Sequence, residues 1–345
     1  MRKRFILLFL FMALLLSALS GLCTASAAGA SEDMLRLFDA KVFTASDGLS
    51  LNYRIHLPED YSSEKEYPLI LFMHGAGARG SDNQTQLTQG IANAFSNSNS
   101  RIHDCIVIAP QCPLDKKWVN VTTWNDCNYS TDAIPETREL KAVVELFLKT
   151  QADYSVDTDR VYCMGLSMGG FATWDLAVRH PNLFAAIVPI CGGGDNRKAE
   201  LLKDLPIWTF HGDADPTVPI TGTTNMVNSL KNAGNTKVKY TILQGRGHDI
   251  WNDVFSNEAV FMWLLTHKLS ARPSVKEETT VPPTVTDTTP QTTPVTDPPV
   301  TNSSETAPTV SDVGNGCQSS AVAAFPALVF SAGALLTLKK KRNLR

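Results

Sequence analysis

The stretch RVYCMGLSMGG, residues 160–170, restricts what this chain can fold into more than any other. Gly165, Ser167 and Gly169 form G-x-S-x-G, a spacing that suits a sharp strand-to-helix turn in which a serine takes a strained backbone and its neighbours must be small. Both flanks agree with such a turn. Residues 161–164 are β-prone, and residues 171–178 place Phe171, Trp174, Leu176 and Ala177 at helical spacing. Gly170 adds a small residue where a helix must pass close to a strand. With 21 glycines in the chain a chance match is the alternative, so the motif draws its weight from what surrounds it.

The two ends of the 345-residue chain differ from its middle. Residues 1–30 carry Arg2, Lys3 and Arg4, then an apolar run over 5–16, then small residues around Ala25, Ala27, Ala28 and Ala30, the pattern of a secretory signal peptide. Leu22 before Cys23 argues against a lipidated cysteine. From residue 273 threonine, proline, valine and acidic residues replace nearly all large apolar ones, so 273–316 is expected to be a disordered, extended linker whose hydroxyls could carry glycans. Residues 317–345 are expected to be a membrane anchor. Within them 321–338 is an uncharged apolar run long enough to cross a bilayer, and Lys339, Lys340, Lys341 and Arg342 follow it as a cytoplasmic tail. That terminal basic cluster argues against a cleaved lipid-anchor signal. The expected catalytic domain is therefore 31–272. A net charge of −3 without a basic patch makes nucleic acid an unexpected partner.

Five of the seven cysteines, Cys105, Cys112, Cys127, Cys163 and Cys191, fall in the folded segment. Export permits disulfides, and Cys112 with Cys127 is the expected bridge. Cys163 and Cys191 fit core strand positions as small hydrophobes. No spacing suggests a metal site, and none of the motifs suggests an organic cofactor.

Along the folded segment, 51–57 alternates as an edge strand would, and 67–74 is a solid apolar run fit for a buried strand. Further strands are expected at 105–109, 161–164, 184–190, 206–210 and 238–243. Helices are expected at 134–148, after the elbow serine, and at 254–269, the last with Val260, Phe261, Leu264 and Leu265 on one face. Buried β-runs alternating with helices imply an α/β fold, with a mostly parallel central sheet covered by helices on both faces.

In such a sheet functional groups gather at the carboxyl ends of strands. The run ending at Phe210 is followed by HGDADPTVP, and the run ending at Leu243 by QGRGHDIW. A serine hydroxyl needs a base within hydrogen-bond reach, and the base needs a carboxylate to fix its tautomer. Ser167 and His248 can fill the first two roles, and Asp213 or Asp215 the third. An oxyanion intermediate needs two donors; the N–H of Met168, next after the serine, supplies one, and the loop HGAGARG after strand 67–74 supplies the other through Ala76. The same loop lacks the lysine and glycine patterns of a phosphate cradle. His211 is expected to cap its own turn, and Trp174 to lie in the core. Trp118, Trp124 and Trp251 fall in loops on the same rim and are candidate substrate-binding walls for a planar acyl group or a sugar face, with plain packing as the alternative.

Taken together, YPLILFMHGAGARGSDN, IAPQCPLDKKW, VYCMGLSMGGFATWDLAVRHP, PIWTFHGDADPTVP and GRGHDIWNDVF resemble the secreted esterase and polyhydroxybutyrate-depolymerase-like branch of the α/β-hydrolases, which includes feruloyl esterases. The resemblance covers residues 40–269. It implies an α/β-hydrolase fold, ester hydrolysis through an acyl-enzyme and no metal or organic cofactor. The chain order Ser167, aspartate, His248 is the family's order, and HGDADPTVP resembles its HG-x-x-D-x-x-V-P turn, which points to Asp215 rather than Asp213 as the acid. No long insertion separates strand 184–190 from that aspartate, so an open site is expected. An exported, tethered esterase would meet polymeric esters such as feruloyl or acetyl groups on plant polysaccharides. The rivals are a serine peptidase of the prolyl-oligopeptidase kind and a catalytically silent surface binding module.

Overall fold

The computed structural model describes residues 29–275, except 126 and 128. The expected membrane anchor lies outside the described residues, as do the expected linker apart from residues 273–275 and the expected signal segment apart from Gly29 and Ala30. Among the described residues no helix is long and apolar enough to cross a membrane.

Eight strands form one sheet: β1 (Asp39–Thr44), β2 (Ser50–His56), β3 (Tyr67–Met73), β4 (Ile106–Pro110), β5 (Val156–Leu166), β6 (Ala186–Ile190), β7 (Ile207–Gly212) and β8 (Val238–Leu243). Their order is β1-β2-β4-β3-β5-β6-β7-β8. The pairs β1–β2 and β2–β4 are antiparallel and all the others parallel. The helices are α1 (Glu32–Leu37), α2 (Ile91–Phe95), α3 (Arg138–Asp153), α4 (Met168–Arg179), α5 (Thr221–Asn232), α6 (Trp251–Phe255) and α7 (Glu258–Leu264).

The solid apolar runs have a direct reading in this arrangement. A strand buried on both faces sends alternate side chains to opposite cores. In β3, Leu69, Leu71 and Met73 join the layer beneath α3, α4 and α5, while Ile70 and Phe72 join the layer beneath α1, α2, α6 and α7. β4 and β5 divide the same way, Ile108 and Cys163 to the first layer, Val107 and Met164 to the second.

Several expectations need correction. The segment 51–57 is not an edge, because β1 pairs along its whole outer side. β1 itself, with most of its residues exposed, carries too little apolar pattern to stand out. The helix expected from residue 134 starts at Arg138, since Pro135 precedes it and the Thr137 hydroxyl accepts the Leu140 N–H at 3.0 Å as an N-cap. Leu148, expected on its buried face, is exposed. The helix expected at 254–269 is broken: Asn257 caps a new start by accepting the Ala259 N–H, dividing α6 from α7. Cys112 carries a free thiol, so the expected Cys112–Cys127 bridge is not formed. The Cys127 thiol turns instead toward the carbonyls of Trp124 and Pro219, packed against Gly222.

After α7 the chain returns to the end of the sheet where the parallel strands begin. There the Arg272 guanidinium donates to the carbonyls of Phe184 and Pro181, just ahead of β6, and the Asn182 amide exchanges two hydrogen bonds of 2.9 and 2.8 Å with the backbone of Val275.

Candidate active site

Ser167 sits between β5 and α4 with φ 54° and ψ −119°, a region that side chains with a Cβ rarely occupy. The backbone is held there from both sides, by Ser167 N–H to Ile190 O at 2.9 Å and Phe171 N–H to Ser167 O at 3.0 Å. The glycines that flank it are required by contact. A Cβ on Gly169 would collide with the carbonyl oxygen of Met73, and one on Gly170 with that of Ile190.

At this elbow the Ser167 hydroxyl lies 2.8 Å from His248 Nε2, and His248 Nδ1 lies 2.7 Å from Asp215 Oδ2. An ionised carboxylate only accepts, so Nδ1 carries the proton and Nε2 offers its lone pair to the serine O–H. Asp215 Oδ1 accepts the N–H groups of Thr217 and Val218 at 2.8 and 2.9 Å. Burial alone would raise the Asp215 carboxyl, but hydrogen bonds from His211, His248 and those two N–H groups hold it well below the usual carboxylate range.

The loops after β7 and β8 are clasped together, which sets the histidine against the aspartate. Asp213 N–H donates to Leu243 O at 3.3 Å, Ala214 N–H to Arg246 O at 3.0 Å, and the Asp213 carboxylate accepts Gly245 N–H at 2.6 Å. Gly212 allows this closeness, since a Cβ there would collide with the carbonyls of Arg246 and Gly247. Asp213, the other candidate acid, is thus a clasp between loops and does not reach His248. The Arg246–Asp253 ion pair at 2.6 Å ties the same loop to α6.

Met168 opens α4 and Ala76 opens a 3-10 turn, Ala76–Ala78, so neither N–H has an acceptor within its own helix. The Ala76 loop runs beside the elbow: a Cβ on Gly75 would lie 3.4 Å from Ser167 Cβ. Three side chains to which the motifs assigned no such role hold this loop. Gln89 Oε1 accepts Gly75 N–H at 2.9 Å. His74, fully buried, donates from Nδ1 to Gly75 O at 2.7 Å and accepts Cys112 N–H at Nε2 at 2.9 Å. Burial pushes the ring down to about 4, against the raising effect of the bond to Gly75 O.

Trp118 is the third. It does not face solvent or substrate: it is fully buried, and its indole N–H donates to His74 O at 3.2 Å, which makes it a support for the loop and corrects its reading as a substrate wall. Trp124 is half-buried against Phe171 on the first turn of α4, ring centroids 5.7 Å apart, with Lys117 Nζ 5.1 Å above its ring. Asp175 on α4 accepts from the Tyr129 hydroxyl at 3.1 Å and pairs with Arg179 at 2.6 Å. Trp251 is half-buried and meets the His248 ring edge-on at 5.5 Å. Trp174 lies in the core as expected. Among the described residues no group of three or more His, Cys, Asp or Glu side chains is arranged to hold a metal.

Residues 60–265, more than half of the chain, match the Phospholipase/Carboxylesterase family. The chain belongs to that family. Its doubly covered sheet and serine elbow are those of an α/β-hydrolase, as the motifs implied. It is similar to a probable feruloyl esterase C of Aspergillus terreus, 27% identical over 178 residues that make up 52% of this chain and 60% of that protein. A poly(3-hydroxyalkanoate) depolymerase C of Paucimonas lemoignei is 28% identical over 126 residues, 36% of this chain and 28% of that one. Both matches span less than two thirds of the relative's length. Among solved structures, a thermostable esterase is 34% identical with a TM-score of 0.62, covering 68% of this chain and 64% of the other.

Proposed function

We propose that the protein is a serine carboxylesterase in which Ser167 is the nucleophile, His248 the general base and acid, and Asp215 the orienting carboxylate. The observation that carries this reading is the continuous chain of hydrogen bonds from the Ser167 hydroxyl through His248 to Asp215. As Ser167 Oγ attacks the ester carbonyl, its proton passes to His248 Nε2, and the imidazolium is stabilised by the adjacent anion. The N–H groups of Met168 and Ala76 receive the oxyanion, each worth about 100-fold to 1000-fold in rate. Collapse of the intermediate expels the alcohol, which takes the proton from Nε2 and leaves the acyl group on Ser167. A water activated by the same nitrogen then releases the acid.

The substrate class follows from the aromatic rim and from the proposed location. Trp251 beside His248 and Trp124 over Phe171 offer flat apolar faces suited to an aromatic acyl group or a sugar ring. A signal segment at the start of the chain and an apolar run near its end support export and tethering, and so a polymeric extracellular ester such as a feruloyl or acetyl polysaccharide. The decisive experiment is Ser167→Ala, assayed on p-nitrophenyl acetate and with a fluorophosphonate probe. It should lower kcat/KM by about 10⁵-fold and abolish labelling while the thermal melt is kept; a rate within tenfold of the parent would reject the mechanism. Comparing acetyl, feruloyl and longer acyl esters on the parent protein then identifies the acid released.

A further inference from the structure

The side chain of Gln89 lies across the loop that carries Ala76, and the bond it makes there fixes which way its carboxamide points. Oε1 stands 2.9 Å from Gly75 N, and a backbone N–H only donates, so the oxygen faces Gly75 and the nitrogen faces away. Nε2 ends beside Gly77, where a Cβ would meet it at 3.0 Å. A Cβ on Gly75 would meet Oε1 at 3.1 Å and Ser167 Cβ at 3.4 Å, so the carboxamide and the serine side chain lie on the same side of the loop. The glycines before and after Ala76 leave room for it. On its other side Gln89 is followed by Gly90 at φ 62°, where a Cβ would collide with the Phe255 ring at 2.6 Å and crowd Leu166 at 3.1 Å. That turn packs the chain directly against the residue before Ser167 and brings Gln89 up to the elbow.

Among the described residues no oxygen accepts from Nε2, and the atom is not sealed from solvent, although Gln89 as a whole is half-buried. A carboxamide held at its oxygen and unoccupied at its nitrogen presents two aimed N–H groups to whatever fills the space beside Ser167. We infer that Gln89 is a substrate-binding residue whose Nε2 donates to an oxygen next to the scissile ester, so that the site favours esters of an alcohol that carries such an oxygen, as a sugar does. This rests on the reading of Ser167, His248 and Asp215 as the catalytic set.

The alcohol side follows from the chemistry of the two arms of the ester. An acetyl group has no oxygen besides its carbonyl, and a feruloyl group carries its others at the far end of the ring. A sugar esterified at one hydroxyl has further oxygens on the adjacent carbons. The carbonyl oxygen is already received by the Met168 and Ala76 N–H groups, which leaves the Gln89 amide for a neighbouring acceptor. An alkyl alcohol of the same size would strip water from Nε2 and replace it with nothing, and an unmade hydrogen bond of that kind disfavours binding.

The test compares two acetates of equal ring size on the full chain, methyl β-xyloside carrying one acetyl group and cyclohexyl acetate. In Gln89→Glu an oxygen still accepts the Gly75 N–H while the donor is lost. The ratio of kcat/KM for the sugar acetate to that for cyclohexyl acetate should fall about tenfold from its value in the parent, through a higher KM for the sugar acetate. Gln89→Met, uncharged and of similar length, should lower the same ratio by a similar factor, which separates a lost donor from an added charge. A side chain that only steadied the loop would slow both acetates alike. An unchanged ratio in either folded variant therefore overturns the proposal, and if Ser167→Ala has meanwhile lost turnover of both acetates, the catalytic set stands without it. A Ser167→Ala protein that keeps the parent's rates rejects the catalytic set and this contact together.

Discussion

At the scale of single residues, Ser167 trades backbone comfort for reach. Its φ of 54° with ψ of −119° costs about 1–3 kcal/mol for a residue with a side chain and almost nothing for glycine. Ser167→Gly is therefore expected to gain about 1 kcal/mol in urea unfolding, after allowing for the looser unfolded chain, while losing all of the proposed esterase activity. A variant that is both inactive and less stable would contradict the strain. Ser167, His248 and Asp215 could be read from the sequence because each belongs to a short local pattern, an elbow or a turn after a strand. Trp118 could not. Nothing near it in the chain says that its indole N–H will find the carbonyl of His74, 44 residues earlier, so a tryptophan in a polar loop looked exposed. The pairing of Cys112 and Cys127 failed for the same reason: spacing carries no information about which way either thiol turns.

At the scale of elements, the site is made where two loops meet. Asp213 joins the turn after β7 to the turn after β8 through Gly245 N–H at 2.6 Å, and Gly245 takes φ 70° to present it. Asp213→Ala should release the His248 loop and lower kcat by about tenfold with a smaller change in KM, because the base loses its aim and the substrate walls do not. Asp213→Asn, which keeps an acceptor, should recover most of the loss; equal damage from both variants would argue against the clasp. The sheet was legible wherever a strand is buried on both faces, because a continuous apolar run such as β3 has few other uses. β1 escaped notice because an outer strand with mostly exposed residues is defined by its partner β2 rather than by its own side chains. Helix limits were misplaced where a single polar side chain decides them, Thr137 at the start of α3 and Asn257 between α6 and α7.

For the whole molecule, the buried neutral histidines set a limit on acid tolerance. His74 is held at about 4 by burial, and burial also pushes His56 down. Above pH 6.5 both are neutral whether the chain is folded or not, and stability does not depend on them. Below that value the unfolded chain takes up protons that the folded one refuses, so stability falls with pH until the folded rings titrate in turn. From His74 alone the loss between pH 6.5 and 4 should be about 3 kcal/mol, seen as a declining urea midpoint whose slope is flatter in His74→Gln. A slope identical in the two proteins would mean that the ring takes up its proton alike in the folded and unfolded chains. The proposed tether makes a separate prediction: full-length protein should sediment with membranes and resist salt, whereas a chain ending at residue 275 should be recovered in the medium.

Hydrogen bonds from Arg272 to the carbonyls of Pro181 and Phe184, and between Asn182 and Val275, hold residues 272–275 against the segment that leads into β6. That segment is at the end where the parallel strands begin, and the serine is at the end where they finish. A chain cut at residue 275 and coupled there to a support would therefore be held at the end of the sheet away from Ser167.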